Sequence, residues 1–259
     1  MTRAGNREAE RHRAIVDLVQ RDGFAAIENL SQQFAVTPQT IRRDINALVG
    51  QGLLRRYHGG AGLPSSIENI AYPARQILHL KEKQAIARLA ATQIPDAASL
   101  FINIGTTTEE VAKALLGHRQ LRVITNNLNV AALLAQKEDF EVIVAGGVVR
   151  TRDRGIVGEA TLDLIRQFKV DFGIIGISGI DFDGTLLDYD YREVRVTQAI
   201  IVNSRRVLMV SDHTKFGRAA MVRVGSIAEI DLLFTDREPP AAMTTLLREA
   251  GGQLFVADS

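Results

Sequence analysis

Apolar residues recur at helical spacing through the first sixty positions and then give way to short continuous runs. That change divides the chain. From Arg7 to Arg21 the residues Ile15, Leu18 and Val19 keep a helical period, and the glycine of "RDGF" stops it, which predicts a first helix. Ile27, Leu30 and Phe34 continue the period through "IENLSQQF", a second and shorter helix. Thr37 can cap a third helix through its hydroxyl, and Pro38 suits the first helical position, where its missing N–H costs nothing. On that helix Ile41, Ile45, Leu48 and Val49 share one face, leaving Gln39, Thr40, Arg43, Asn46 and Ala47 outward and Arg42 on the flank. After Gly50 and Gly52 the run "LLRRYHGGA" ends in glycines that forbid a continuing helix, so a small hairpin, or wing, carries Arg55, Arg56, Tyr57 and His58.

"GLPSSIENIAYPARQ" mixes proline and serine with few core-forming repeats, and marks a boundary. The expected organisation is a helical unit with a wing over 1–61, a linker over 62–79 and a second domain over 80–259. Leu80 to Gln93 reads as a charged amphipathic helix. Beyond it, "SLFINIG", "EEVAKALL", "RVITN", "NVAALLAQ", "FEVIVAGG", "EATLDLIRQF" and "VDFGIIGISGI" alternate apolar strands with helices, and "TQAIIVN", "RVLMVSD", "DLLFTD", a helix near 241–250 and "QLFVAD" continue the pattern. This is the signature of a mostly parallel α/β sheet covered on both faces.

Charge changes the picture only in the first sixty residues. The whole chain carries a formal net charge of +1, yet residues 1–60 hold nine arginines, no lysine and six acids, and the rest is slightly acidic. A basic head on a near-neutral body leaves a polyanion one place to bind. The outward face of the third helix has the side chains that read base edges: arginine pairs with guanine, glutamine or asparagine with adenine, and threonine with either. Arg42, Arg55 and Arg56 are better placed for phosphates, which contribute affinity and little sequence information. The expected partner is double-stranded DNA, met by a recognition helix in the major groove.

In a parallel sheet, ligands bind where loops leave the carboxyl ends of the strands. Several such ends carry suitable groups. Gly105 lets the backbone approach a ligand, Thr106, Thr107 and Thr108 offer hydroxyls, and the helix that follows presents unpaired N–H groups to an anion; the same residues also serve as an ordinary helix cap. Asn126 and Asn127, then Gly146 and Gly147, then Ser178, Gly179 and Asp181, follow later strands. Asp212 and Lys215 in "SDHTKFG" complete the set, Lys215 reading either as a compact charge for a phosphate or as a surface lysine. Asp181, Asp183, Asp188 and Asp190 do not form a calcium loop, because counting from Asp181 puts Arg192 at the twelfth position. No metal and no cofactor is expected, and Asp212 beside His213 makes no triad.

The absence of cysteine removes disulfides and thiol chemistry and suits a reducing compartment. "MTRAGNREAERHR" has no apolar run behind its charges, and no apolar segment is long enough to span a membrane, so cytoplasm is the expected location.

"TPQTIRRDINALVGQGLLRRYHGGA" resembles the winged helix-turn-helix signature of the DeoR family of bacterial transcriptional repressors. The resemblance implies a C-terminal sensor for a phosphorylated sugar or polyol, similar in fold to ribose-5-phosphate isomerase, with "GTTT" as the phosphate loop and "TNN", "SGID" and "DHTKFG" as further walls of the pocket. It also implies a homo-oligomer, dimer or tetramer, that matches an inverted repeat. The isomerase follows its acidic loop with a glycine-rich lysine motif; here "GIDFDG" leads into "TLLDYDYREVR", which has none, so a sensor rather than an enzyme is expected, with Glu193 a remaining acid. "IGTTTEEVAKALL", "TNNLNVA", "RGIVGEATLDLI" and "DHTKFGRAAMV" are similar to the members of the family that respond to glycerol 3-phosphate. That likeness implies glycerol 3-phosphate as the effector that releases the protein from operator DNA.

Overall fold

The computed structural model describes residues 3–22, 24–57, 59–62 and 72–258. It divides into two compact units, Met1–Leu78 and His79–Ser259.

In the first unit, α1 (Arg3–Asp22), α2 (Ile27–Gln33) and α3 (Pro38–Gly50) surround a small core, with strands β1 (Phe24–Ala26), β2 (Arg55–Tyr57) and β3 (Gly60–Gly62). Ile15, Val19, Leu30, Ile41, Ile45 and Leu48 are buried together, as the helical periods require. The expected wing is the antiparallel pair of β2 and β3, in which Arg55 faces Gly62 and Arg56 faces Ala61. Its third strand, β1, pairs with β3. Three residues after a glycine leave no period to read, so β1 was not expected.

The stretch expected as a linker, 62–79, holds a further helix. Its second half contains α4 (Tyr72–Ile77), and Ala74 is buried in the core of the first unit with Leu78 packed beside it. These residues stand four apart and face the same way on one helical turn. Their burial ends the unit at Leu78 rather than at the wing, while residues 63–71 and His58 lie outside the described residues.

The second unit begins with α5 (Leu80–Ala91) and continues through β4 (Ser99–Ile102), α6 (Thr106–Ala114), β5 (Arg122–Thr125), α7 (Leu128–Leu134), β6 (Glu141–Val144), a hairpin of β7 (Val148–Val149) and β8 (Ile156–Val157), and α8 (Glu159–Arg166). Then come β9 (Val170–Ile175), β10 (Gly179–Ile180), β11 (Thr185–Asp188), α9 (Tyr191–Val202), β12 (Ser204–Val210), β13 (Val222–Ser226), β14 (Leu232–Thr235), α10 (Ala241–Glu249) and β15 (Gln253–Val256). Seven strands form a sheet in the order β15-β14-β12-β9-β4-β5-β6. All six pairings are parallel; helices cross over between most consecutive strands, and the strand β13 lies in the crossover from β12 to β14. Residues of α5, α6 and α7 pack one face of the sheet and residues of α8, α9 and α10 the other, which is why the strands are apolar throughout. A separate antiparallel sheet, β10-β11-β13, was not expected, since its β10–β11 hairpin is only two residue pairs long and its β11–β13 pairing joins segments distant in sequence.

The strand order reverses between β4 and β9. From β4 the chain builds outward to β6; from β9 it builds the opposite way to β15. In open α/β sheets the loops leaving the carboxyl ends at such a reversal run to opposite faces, which is the usual place for a ligand crevice.

Candidate functional site: a recognition helix and a carboxyl-edge crevice

The recognition surface follows from the cap and the period of α3. Thr37 accepts a hydrogen bond from the Thr40 amide at 3.2 Å, and the two hydroxyls lie 3.0 Å apart. Thr37 is therefore a structural cap. Gln39, Arg42, Arg43 and Asn46 are exposed, Thr40 and Ala47 half-buried. Arg55 and Arg56 are exposed on β2, and Tyr57 ends that strand opposite Gly60.

Asp44 was not anticipated. It is buried on the apolar side of α3, where Arg11 of α1 grips it from Nε at 2.6 Å and from the guanidinium terminus at 3.1 Å, and His12 Nε2 stands 3.1 Å away. Burial opposes its charge, but the bonds and charges of Arg11 and His12 prevail and hold its carboxyl below the usual range. Glu8, His12 and Asp44 bring three metal-type donor atoms within 4.8 Å of one another. Arg11 occupies both Asp44 oxygens, so the cluster reads as an ion-pair network that ties α1 to α3.

In the second unit the parallel sheet gathers the polar strand ends on one edge. They do not all remain available. Thr106 and Thr107 open α6 at the crevice, both largely buried. The Thr108 hydroxyl lies 2.9 Å from the carbonyls of both Asn103 and Gly105, so it braces the loop. Asn127 caps α7 and donates to Glu109 at 3.0 Å, a structural task. Asn126 donates to the Ile156 carbonyl at 2.9 Å, and its own buried Oδ1 has no partner among the described residues. Gly146 is exposed and gives its carbonyl to Thr161. Gly147 has φ +146°, and a Cβ there would collide with Thr161 and the Val157 carbonyl, so its glycine serves the turn. Ser178 donates to Asp188 at 2.9 Å. A side chain at Gly179 would meet the Arg218 carbonyl, and Asp181 is an exposed turn residue that accepts from the Phe182 amide.

Asn103 binds the two diverging loops together. Its amide N–H reaches the Ile174 carbonyl at 3.1 Å, and its side-chain oxygen accepts from the Gly176 amide at 2.9 Å. Arg150, also unforeseen, is buried among Asp153 at 2.6 Å, Asp190 at 2.9 Å and Glu193 at 2.7 Å. Burial raises the Asp190 carboxyl, yet hydrogen bonds from Arg150 and Arg192 outweigh it and bring the group down to about 2.

A second group of charges lies around Asp212. Its carboxylate is 1% exposed and accepts from the Thr214 amide at 3.1 Å. Desolvation disfavours its charge, but the Lys215 and Lys83 ammonium groups, with Thr214 and His79, keep it well below the carboxylate range. Lys83 was read as one charge among many on an amphipathic helix. The structure buries it to 4% exposure. Because α5 leads into β4, its first turn lies toward the carboxyl edge, where the His79 ring meets that of His213 edge-on at 5.3 Å. His213 in turn contacts Asp236 at 2.5 Å, beyond the end of β14.

Depressed carboxyls make the fold sensitive to acid. Asp44, Asp171, Asp190 and Asp212 all lie below the reference value of 3.8 when folded. Their stabilisation is complete above the unfolded value and is lost as protons bind the folded form. Thermal unfolding is expected to be insensitive to these groups above about pH 5 and to weaken progressively from about pH 4 to 2; a midpoint unchanged down to pH 2 would contradict this assignment.

A winged helix with an exposed polar recognition face, joined in one chain to an α/β unit with a polar crevice, defines a DNA-binding transcriptional regulator with a sensor domain. The chain belongs to the DeoR family: residues 11–67 match the DeoR-like helix-turn-helix domain and residues 78–237 the DeoR C terminal sensor domain. It is 54% identical over 248 residues to the glycerol-3-phosphate regulon repressor of Escherichia coli, covering 96% of this chain and 98% of that one. The repressor of the same description from Haemophilus influenzae is 50% identical over 252 residues, 97% of this chain and 98% of that one. A ribose 5-phosphate isomerase from Neisseria gonorrhoeae aligns with 52% of each chain at 14% identity and a TM-score of 0.36. Among the described residues no helix is long and apolar enough to cross a membrane.

Proposed function

We propose that this protein represses genes of glycerol and glycerol 3-phosphate metabolism in the cytoplasm and is released from operator DNA when glycerol 3-phosphate binds its sensor domain. The observation that carries the sensor reading is the carboxyl edge, where one buried carboxylate, Asp212, faces Lys83 and Lys215. Two ammonium groups suit a phosphoryl dianion, and the first turn of α6 at Thr106 and Thr107 adds amides that have no acceptor within the helix to the same edge. The unpartnered Asn126 Oδ1 is an acceptor that a ligand hydroxyl would satisfy. The likeness in sequence to glycerol-3-phosphate regulon repressors supports that ligand over other phosphorylated polyols.

Gln39, Arg43 and Asn46 would read bases, with Arg42, Arg55 and Arg56 on phosphates. A homo-oligomer would bring two such heads to an inverted repeat, and ligand would favour an arrangement that no longer fits the half-sites. Release requires the ligand to bind the DNA-free form more tightly. The protein works without catalysis in this reading: Glu193 is bound to Arg150, and no lysine motif follows the acidic loop.

The test is operator binding titrated against phosphorylated metabolites of three to six carbons. Glycerol 3-phosphate should weaken binding at lower concentration than the others. A sugar phosphate acting at lower concentration would make this a regulator of another pathway, and turnover of an aldose phosphate would make it an isomerase.

A further inference from the structure

Arg43 is the outward arginine of α3, and its side chain is 81% exposed. An exposed arginine samples many rotamers and loses that freedom when it meets a base. The structure sets one acid beside it. Glu8 Oε1 of α1 lies 3.7 Å from the Arg43 guanidinium and 4.0 Å from His12 Nε2, one turn along α1. His12 is 3.1 Å from Asp44, and Asp44 is held by Arg11. The groups alternate in character from a buried, doubly bonded ion pair outward to the exposed arginine. Only the outermost member, Arg43, stands on the face that would meet DNA.

Glu8 is anomalous for a DNA-binding surface. A carboxylate beside a recognition helix repels phosphates and weakens binding to every sequence. Beyond its contact with His12, the acid offsets that cost if it improves discrimination, either by restricting where Arg43 points or by withholding it from duplexes that lack its base.

We propose that Glu8 is a positioning residue for base reading: it restrains the Arg43 guanidinium, and so raises discrimination at one base pair while lowering affinity for DNA in general. The inference rests on the reading of Arg43 as a base contact. Because the pair is exposed, its coupling is modest, about two- to fivefold.

The experiment uses the full-length protein and an inverted repeat selected from random duplexes by the unaltered protein. Binding to that duplex, to its single-base variants and to a random duplex is measured for wild type, Glu8→Gln, Arg43→Ala, the double variant and Arg56→Ala, at several salt concentrations. Glu8→Gln should bind random DNA about two- to fivefold more tightly and lose discrimination by a similar factor at the one position that Arg43→Ala relaxes. In the Arg43→Ala background the loss of discrimination should vanish. Arg56→Ala should weaken all duplexes alike and flatten the salt slope. A Glu8→Gln protein that gains affinity for all duplexes equally, with discrimination intact, overturns the proposal, as does a loss that persists without Arg43. If Arg43→Ala keeps every base preference, the reading of Arg43 itself fails, and that result is separate from the first two. Unchanged thermal unfolding of Glu8→Gln shows that the fold is not the cause.

Discussion

Removing either Lys83 or Lys215 should raise the glycerol 3-phosphate concentration needed to release operator DNA by about 30-fold or more. Both ammonium groups act on the buried Asp212 carboxylate, one from the first turn of α5 and one from the loop after β12. In the proposed complex each ammonium group pairs with the phosphoryl group, and losing one partner of such a desolvated charge pair costs about 2–5 kcal/mol, which is the basis of that estimate. Lys83→Met keeps the length and apolar stem of the side chain and removes only its charge, so it separates packing from binding. Operator affinity without ligand should stay near wild type, because neither residue belongs to the DNA-binding unit. Titration of operator complexes with glycerol 3-phosphate decides the matter: half-release within threefold of wild type in both variants would remove the two lysines from the effector site.

The second large effect belongs to the DNA-binding unit. Asp44→Ala leaves Arg11 and His12, each only 17% exposed, without the carboxylate that joins them to α3. Breaking a buried pair from one side costs about 3–5 kcal/mol, a large share of the stability of a unit this small. The first unit is expected to unfold before the second, and operator binding should fail while ligand-dependent stabilisation of the second unit persists. Two-probe thermal unfolding of the full chain measures this; a single transition displaced by less than about 1 kcal/mol would show that the network is dispensable.

Local patterns carried far in this sequence. The cap at Thr37, the proline after it and the burial of Ile41, Ile45 and Leu48 were legible because each depends on neighbours within a turn or two. The alternation of strands and helices was legible for the same reason. Lys83 was not, because "LKEKQAIARLAA" shows a charged face whichever of its lysines is buried. Thr108 and Asn127 were expected as ligand groups and also brace the loops, since a hydroxyl or amide at a strand end can bond to the protein as readily as to a ligand. Arg150 and Asn103 were missed because the partners that fix their place in the fold lie tens of residues away: besides its near neighbour Asp153, Arg150 meets Asp190 and Glu193, and Asn103 meets Gly176. Nothing local in sequence announces such pairings.

The position of β4 in the middle of the sheet has a kinetic consequence. It is the first strand of that sheet to be synthesised, yet one of its two neighbours, β9, begins at Val170, and three further strands wait beyond that. The crevice between β4 and β9 thus depends on contacts of high order, which form slowly because a long loop must close before they reward it. The helices and wing of the first unit close over Met1–Leu78 alone. On an emerging chain, the helix-turn-helix unit has all its partners well before the sensor domain does.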